Sequence, residues 1–357
     1  MFPFPTAPRH PRRPAASGGF SLVEIMVGMV IGMLGIIVMM QIFSLSEGQK
    51  RTTTGGSDAQ NAGAIALYGL QRDIRQSGYG ISNFRLIGCD VLLRPGVTLT
   101  AMAPTTIYPA GMASPLIPAG DANTDSLLVV YGNTNGSPQG DGITATSTTS
   151  YPVQTPTSFI AGENVIALPQ ARPTPCSLTL TQVTGVASPS VTVATGAAMT
   201  NGATLYNLGQ APRMLAYSIR GGNLTVCDFT VNDCSSAANV GNPAIWVSIA
   251  SNIVSMRAEY GRDANTPMDA IVDVFDQTTP TTACGWVKAS AVRLALVARS
   301  GQYEKTAVTA SAPAWLGSAG TPINLSADTN WQNYRYKVFQ TVVPMRNVVW
   351  MGVQTGC

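Results

Sequence analysis

From residue 20 to residue 43 the chain reads FSLVEIMVGMVIGMLGIIVMMQIF, and only Ser21, Glu24 and Gln41 break the apolar run. At roughly 1.5 Å per residue, a helix of that length covers a hydrocarbon layer of about 30 Å, so the pattern predicts a membrane-spanning helix. Residues 44–56 (SLSEGQKRTTTGG) are polar, and Gly48, Gly55 and Gly56 each cost about 1 kcal/mol relative to alanine in a helix. The helix is expected to weaken there. Helical spacing returns over residues 58–77, where Ala59, Ala62, Ala66, Leu70 and Ile74 fall at steps of three and four and Gly78 supplies a stop. The two segments predict either one long helix that continues onto a globular head or an anchor joined to that head by a linker.

Beyond residue 78 the period changes. Residues 81–140 hold few periodic runs apart from SLLVVY at 126–131, which reads as a buried strand. Residues 132–157 are rich in Gly, Ser, Thr and Pro and read as an exposed, variable loop. Short runs rich in Val, Leu and Thr at 164–168, 177–183, 190–194 and 204–208 have strand length. Residues 213–219 and 224–229 flank Arg220-Gly221-Gly222-Asn223, a hairpin signal. The fold class is therefore α+β, a long N-terminal transmembrane helix followed by a mainly antiparallel β head.

Charge orients the anchor. Arg9, His10, Arg12 and Arg13 precede the apolar run without an acidic neighbour, which holds the leader in the cytoplasm and sends the head across the membrane. Small residues, Ser17, Gly18 and Gly19, stand before the apolar run rather than after it. Cleavage after Gly19 would remove the charges and keep the helix. Glu24 is the exception inside the run, since an Asp at a helix centre costs about 2.5 to 3.5 kcal/mol on insertion scales. It needs a partner, or a route to the interface by snorkelling. The expected division is 1–19 leader, 20–43 transmembrane or filament-core helix, 44–78 continuing helix or linker, and 79–357 head.

Composition narrows the function. Without the three leader arginines the chain carries 18 basic and 18 acidic residues, so no nucleic-acid surface is expected. The single histidine, His10, lies in the leader, which leaves a cleaved chain without a Ser-His-Asp or Cys-His pair or a His-ligated metal. The chain is read as non-enzymatic, with no cofactor and no metal. All six cysteines lie beyond the anchor, on the oxidising side, and read as disulfides. Cys227 and Cys234 bracket a short turn-rich interval that could close a hairpin. The other four are left open by spacing; Cys89 with Cys176 and Cys284 with Cys357 is the arrangement carried forward. Asp121, Asn123 and Asp125 start like a calcium loop, but Ser126 and Gly132 stand where glycine and glutamate belong, so a polar turn is expected. Asp263, Asp269, Asp273 and Asp276 are read as solvated loop charges, with pairing to Arg293, Arg299 and Arg346 or a calcium ion as the alternatives.

Gly19 followed by Phe20-Ser21-Leu22-Val23-Glu24 and a hydrophobic helix resembles the prepilin signature of type IV pilins and type II secretion pseudopilins. The resemblance implies cleavage between Gly19 and Phe20 by a prepilin peptidase and N-methylation of Phe20. It also implies that Glu24, fifth in the mature chain, meets the N-terminal amine of a neighbouring subunit. The runs at 253–261, 291–300 and 334–347 look like the closing strands of PilW-type minor pilins. The implied role is priming and assembly of type IV pili at the tip. The implied partners are other major and minor pilins, the inner-membrane assembly platform, inner-membrane lipid and a tip adhesin. A type II secretion pseudopilin shares every N-terminal feature, and an adhesive, ligand-binding head on a pilin anchor is the third reading. The implied location is the inner membrane, with a periplasmic head, and then the pilus at the cell surface.

Overall fold

The computed structural model describes residue 19, residues 21–112, residue 114 and residues 116–357. The chain divides into two compact units, one ending at Thr54 and one spanning Gly55–Cys357. The first helix, α1, runs Leu22–Gln76 without interruption. The expected weakening at residues 44–56 does not break it. Here Thr52 and Thr53 hydroxyls donate to the carbonyls of Gly48 and Gln49, both at 3.0 Å, and Arg51 lies 3.6 Å from Glu47 one turn back. Once a helix has nucleated on both sides, a few unfavourable residues cost less than a second nucleation.

The second unit is built mainly of strands. In chain order these are β1 (Cys89–Arg94), β2 (Val97–Met102), β3 (Thr105–Tyr108), β4 (Ser126–Tyr131), β5 (Asp141–Gly142) and β6 (Ser150–Pro152). Next come β7 (Asn164–Leu168), β8 (Ser177–Ala187), β9 (Ser190–Val193), β10 (Thr204–Gly209), β11 (Arg213–Arg220) and β12 (Asn223–Asp228). The last are β13 (Val247–Ala250), β14 (Ile253–Arg262), β15 (Val274–Asp276), β16 (Ala289–Arg299) and β17 (Tyr336–Pro344), with short helices α2 (Ala283–Lys288) and α3 (Arg346–Val349).

They form three sheets. The largest has the order β2-β1-β8-β7-β10-β5, with β9 pairing β8 and β6; the second is β13-β12-β11-β4-β3; the third is β15-β14-β16-β17. Pairing is antiparallel except where β1 lies parallel to β8, in the register Asp90 to Ser177. That register brings the preceding residues, Cys89 and Cys176, to a Cα separation of 4.8 Å, and they are disulfide-bonded. Cys227 on β12 is bonded to Cys234 in the turn that follows, and Cys284 on α2 to Cys357.

Two stretches depart from expectation. Residues 81–140 carry β1, β2 and β3 as well as β4; in β2 apolar positions alternate with threonine, Val97 and Leu99 being buried while Thr98 and Thr100 are exposed. Residues 132–157 are not simply an exposed loop. They contribute β5, β6 and a bridge from Ile143 to Val153, and they bury Ile143, Tyr151 and Val153 in a core shared with Val183, Val191 and Leu205.

The third sheet is covered on both faces. One side joins the main core, where Ala258, Leu294, Leu296 and Val343 meet the lower half of α1. On the other, residues 315–325 lie over Ala295 and Val297 through Trp315, Ile323 and Leu325. Glu259 holds this cover in place, accepting from the backbone N–H groups of Ser318 and Ala319 at 2.8 and 2.9 Å and lying 3.1 Å from Arg293.

Candidate assembly surface

The N-terminal half of α1 is the first candidate surface. Its most apolar window has a mean hydropathy of 2.5 with none of that window buried, and the helix is long and apolar enough to cross a membrane. Leu22, Val23, Met26, Met29 and Met33 are all exposed. An apolar surface of this size free of a covering protein layer requires lipid or other apolar helices around it.

Glu24 lies in the first turn of this helix, exposed, one turn above Gly28. Among the described residues it has no hydrogen-bond donor or cation. The next basic residues along the helix are Lys50 and Arg51, and Arg51 is engaged with Glu47. A carboxylate at the N-terminal turn is favoured by the helix dipole by about 0.3 to 1 kcal/mol, well short of its cost inside a bilayer. None of the described residues supplies the remaining compensation. Gly19 is exposed and lies outside the helix. Phe20 and the leader, residues 1–18, lie outside the described residues.

The lower half of α1 is fixed to the β unit by three devices. Ala59, Ala66, Leu70 and Ile74 are buried, and Ala62 is partly so, which is the stripe expected from the spacing. Glycine supplies the close approach. A Cβ on Gly63 would lie 2.2 Å from the Phe339 ring, and one on Gly55 would lie 3.2 Å from the Ser300 Cβ. Finally Asp73, 3 % exposed, accepts from the Tyr217 hydroxyl at 2.5 Å and the Tyr131 hydroxyl at 3.2 Å, with the Arg72 Nε at 3.2 Å. Burial, and then the charge of Asp73, push the Tyr217 hydroxyl far above its usual range and that of Tyr131 up to about 12. Both phenols therefore stay donors at any physiological pH. Asp73 and Gly63 escaped the sequence reading, although Asp73 falls inside the apolar stripe between Leu70 and Ile74, the one signal that marks it.

The acidic groups singled out in the sequence are committed to structure. Asp121 accepts from the N–H groups of Gly221 and Gly222 at 2.9 and 2.7 Å. Asp125, fully buried, accepts from Ala110 N and Ala258 N and pairs with Arg257 at 2.8 Å. The segment is a polar turn into β4. The alternative pairing of Arg293, Arg299 and Arg346 with the Asp263–Asp276 cluster does not form among the described residues. Arg293 meets Glu259, Arg299 meets Asp328 at 2.9 Å, and Asp276 is taken by Arg262. The strand register decides this, because it sets Arg293 opposite Glu259 and β15 beside Arg262. Asp263, Asp269 and Asp273 do approach within 4.8 Å of one another. Their oxygens are used inside the loop, Asp263 accepting from Asn265, Asp269 and Ala270 N–H groups. Burial works against the ionised form of Asp263, but those N–H groups and Lys288 outweigh it and its pKa is lowered.

No curated protein and no solved structure matches the chain. Residues 233–347, which contain β13 to β17, match the family model described as Type IV Pilus-assembly protein W. With the exposed apolar helix, that match supports a PilW-type pilus protein with a part in type IV pilus assembly.

Proposed function

We propose that the chain is a minor pilin. A prepilin peptidase cuts between Gly19 and Phe20, Phe20 is N-methylated, and residues 20–43 leave the inner membrane to pack among the helices of other pilins. Glu24 then pairs with the N-terminal amine of a neighbouring subunit, which sets the register of insertion. Residues 44–78 carry the helix onto the head, and residues 79–357 are displayed at or near the pilus tip. There the head primes polymerisation with other minor pilins, on the inner-membrane assembly platform and beside a tip adhesin.

The observation that carries this reading is Glu24, a lone carboxylate in an exposed apolar helix with no partner among the described residues. Two opposite charges brought together in a water-poor helix bundle offset the desolvation that each alone would suffer. Intact mass and N-terminal sequencing, from membranes with and without prepilin peptidase, test it. The expected result is a peptidase-dependent start at methylated Phe20, together with loss of Glu24→Ala from sheared pili. An uncut leader, or Glu24→Ala incorporated at the parental level, overturns the proposal.

A further inference from the structure

A cleft of about 600 Å³ opens in the β unit where the last turns of α1 meet α3 and the end of β4. Tyr68, Arg72 and Arg75 line it from α1, and Arg346 and Trp350 from the opposite wall. On α1 the three positions follow helical steps of four and three, so they share a face. On the other wall the Trp350 N–H donates to the Arg346 carbonyl at 3.0 Å, which sets those two side chains one turn apart. Asn347 holds the walls together, its Nδ2 donating to the carbonyls of Gln76 and Ser77, both at 3.0 Å. The cleft is therefore a built feature of the fold, with its opening fixed by the end of α1.

Its chemistry is one-sided. Three arginines line it and no acidic residue does. Elsewhere in this unit the described arginines are engaged, Arg213 with Asp228, Arg257 with Asp125, Arg293 with Glu259 and Arg299 with Asp328, while Arg85, Arg94, Arg172 and Arg220 donate to backbone carbonyls. Arg75 and Arg346 have no acidic partner among the described residues, and Arg72 reaches only Asp73, whose other oxygen is held by Tyr217. Arg75 and Arg346 thus share the cleft with no carboxylate to neutralise either, and an arriving anion would pair with them. Beside them Trp350 and Tyr68 are 82 % and 70 % exposed, large apolar faces left in water next to the cations.

We propose that this cleft docks an acidic peptide segment of a partner protein, with carboxylates on Arg75 and Arg346 and an aromatic or aliphatic side chain against Trp350 and Tyr68. The guanidinium fork matches a carboxylate in two parallel hydrogen bonds, and Arg, Trp and Tyr are the residue types that carry most of the binding energy at protein interfaces. Nucleic acid fits less well. Its phosphates reward an extended basic track, whereas these cations are confined to one cleft on a chain whose charges otherwise balance. This inference goes beyond the role as a minor pilin and stands without it.

The test uses the full chain in detergent and a fluorescent octapeptide alternating glutamate with phenylalanine and tyrosine, read by anisotropy. A peptide with glutamine for glutamate is the control. The acidic peptide is expected to bind at least about tenfold more tightly than the control, and Arg75→Ala, Arg346→Ala and Trp350→Ala are each expected to weaken it by about tenfold. All three side chains are exposed, so an unchanged unfolding midpoint confirms that the variants remain folded. Equal binding of both peptides overturns the proposal, as does acidic-peptide binding indifferent to the three substitutions. An oligothymidylate that binds more tightly than the peptide, with the same arginine dependence, also overturns it and reassigns the cleft to single-stranded nucleic acid.

Discussion

Replacing Asp73 by Ala should loosen the lower half of α1 from the β unit, and the structure sets the size of the effect. The Tyr217 hydroxyl is buried and donates to Asp73 at 2.5 Å, whereas the Arg72 side chain is 60 % exposed and Tyr131 sits at 3.2 Å. The exposed ion pair is worth about 0 to 1 kcal/mol after solvent screening. The buried phenol-carboxylate bond is worth about 1.5 to 3 kcal/mol, and losing its acceptor strands a buried hydroxyl. Asp73→Ala is therefore expected to cost about 3 kcal/mol and Tyr217→Phe about 2 kcal/mol. The double variant should cost less than the sum, with a coupling of about 2 kcal/mol, because the two groups touch. Urea unfolding of the chain gives the cycle, and hydrogen exchange over residues 55–76 locates the loosening. A coupling below about 0.5 kcal/mol would refute the assignment of Asp73 as the latch between helix and sheet.

Three further outcomes follow from the same geometry. Arg257→Ala leaves Asp125 buried without its cation, and a loss of about 3 kcal/mol is expected by denaturant titration. A variant within about 0.5 kcal/mol of the parent would contradict this. The Cys284–Cys357 bond closes a loop with a sequence separation of 73, so Cys284→Ser with Cys357→Ser should cost up to about 4 kcal/mol and remove the dependence of the unfolding midpoint on reductant in that part of the chain. Asp263 and Asp276 have lowered pKa values in the fold, burial being outweighed by backbone N–H groups at Asp263 and by Arg262 at Asp276. Their contribution is thus present above the unfolded carboxylate range and is lost as pH falls through the lower folded values. An acid unfolding limb below about pH 4 is expected, and Asp263→Asn should flatten it.

Most of the fold could be read from the chain, for local reasons. The stripe of Ala59, Ala66, Leu70 and Ile74 gives the buried face of α1, and the uninterrupted apolar run at β4 gives a strand buried on both faces. The Arg220-to-Asn223 turn gives the hairpin of β11 and β12. What escaped depends on distant partners. β6 spans only Ser150–Pro152 and exists because β9 pairs with it and Tyr151 fills the core beneath. The glycines that argue against helix in isolation include Gly55, where the absence of a side chain lets Ser300 approach. The partner of Arg293 was unreadable for the same reason, since register across β14 and β16 sets it opposite Glu259, and Arg299 meets Asp328, which lies on no strand. At the N-terminus the reverse holds. Glu24 stands out in the sequence because none of the described residues pairs with it.

The covering of α1 also imposes a timetable. Gly63 abuts Phe339, and Gln76 is reached by Asn347 across a separation of 271 residues. A ribosome adding about 5 to 20 residues per second takes roughly 15 to 50 s over that interval. During that time the apolar face of residues 59–74 has left the ribosome without the strand that will cover it. The helix is thus made first and clothed last. Any factor that shields that face during synthesis must let go only after β17 has arrived, which makes release a late checkpoint on whether the β unit is whole.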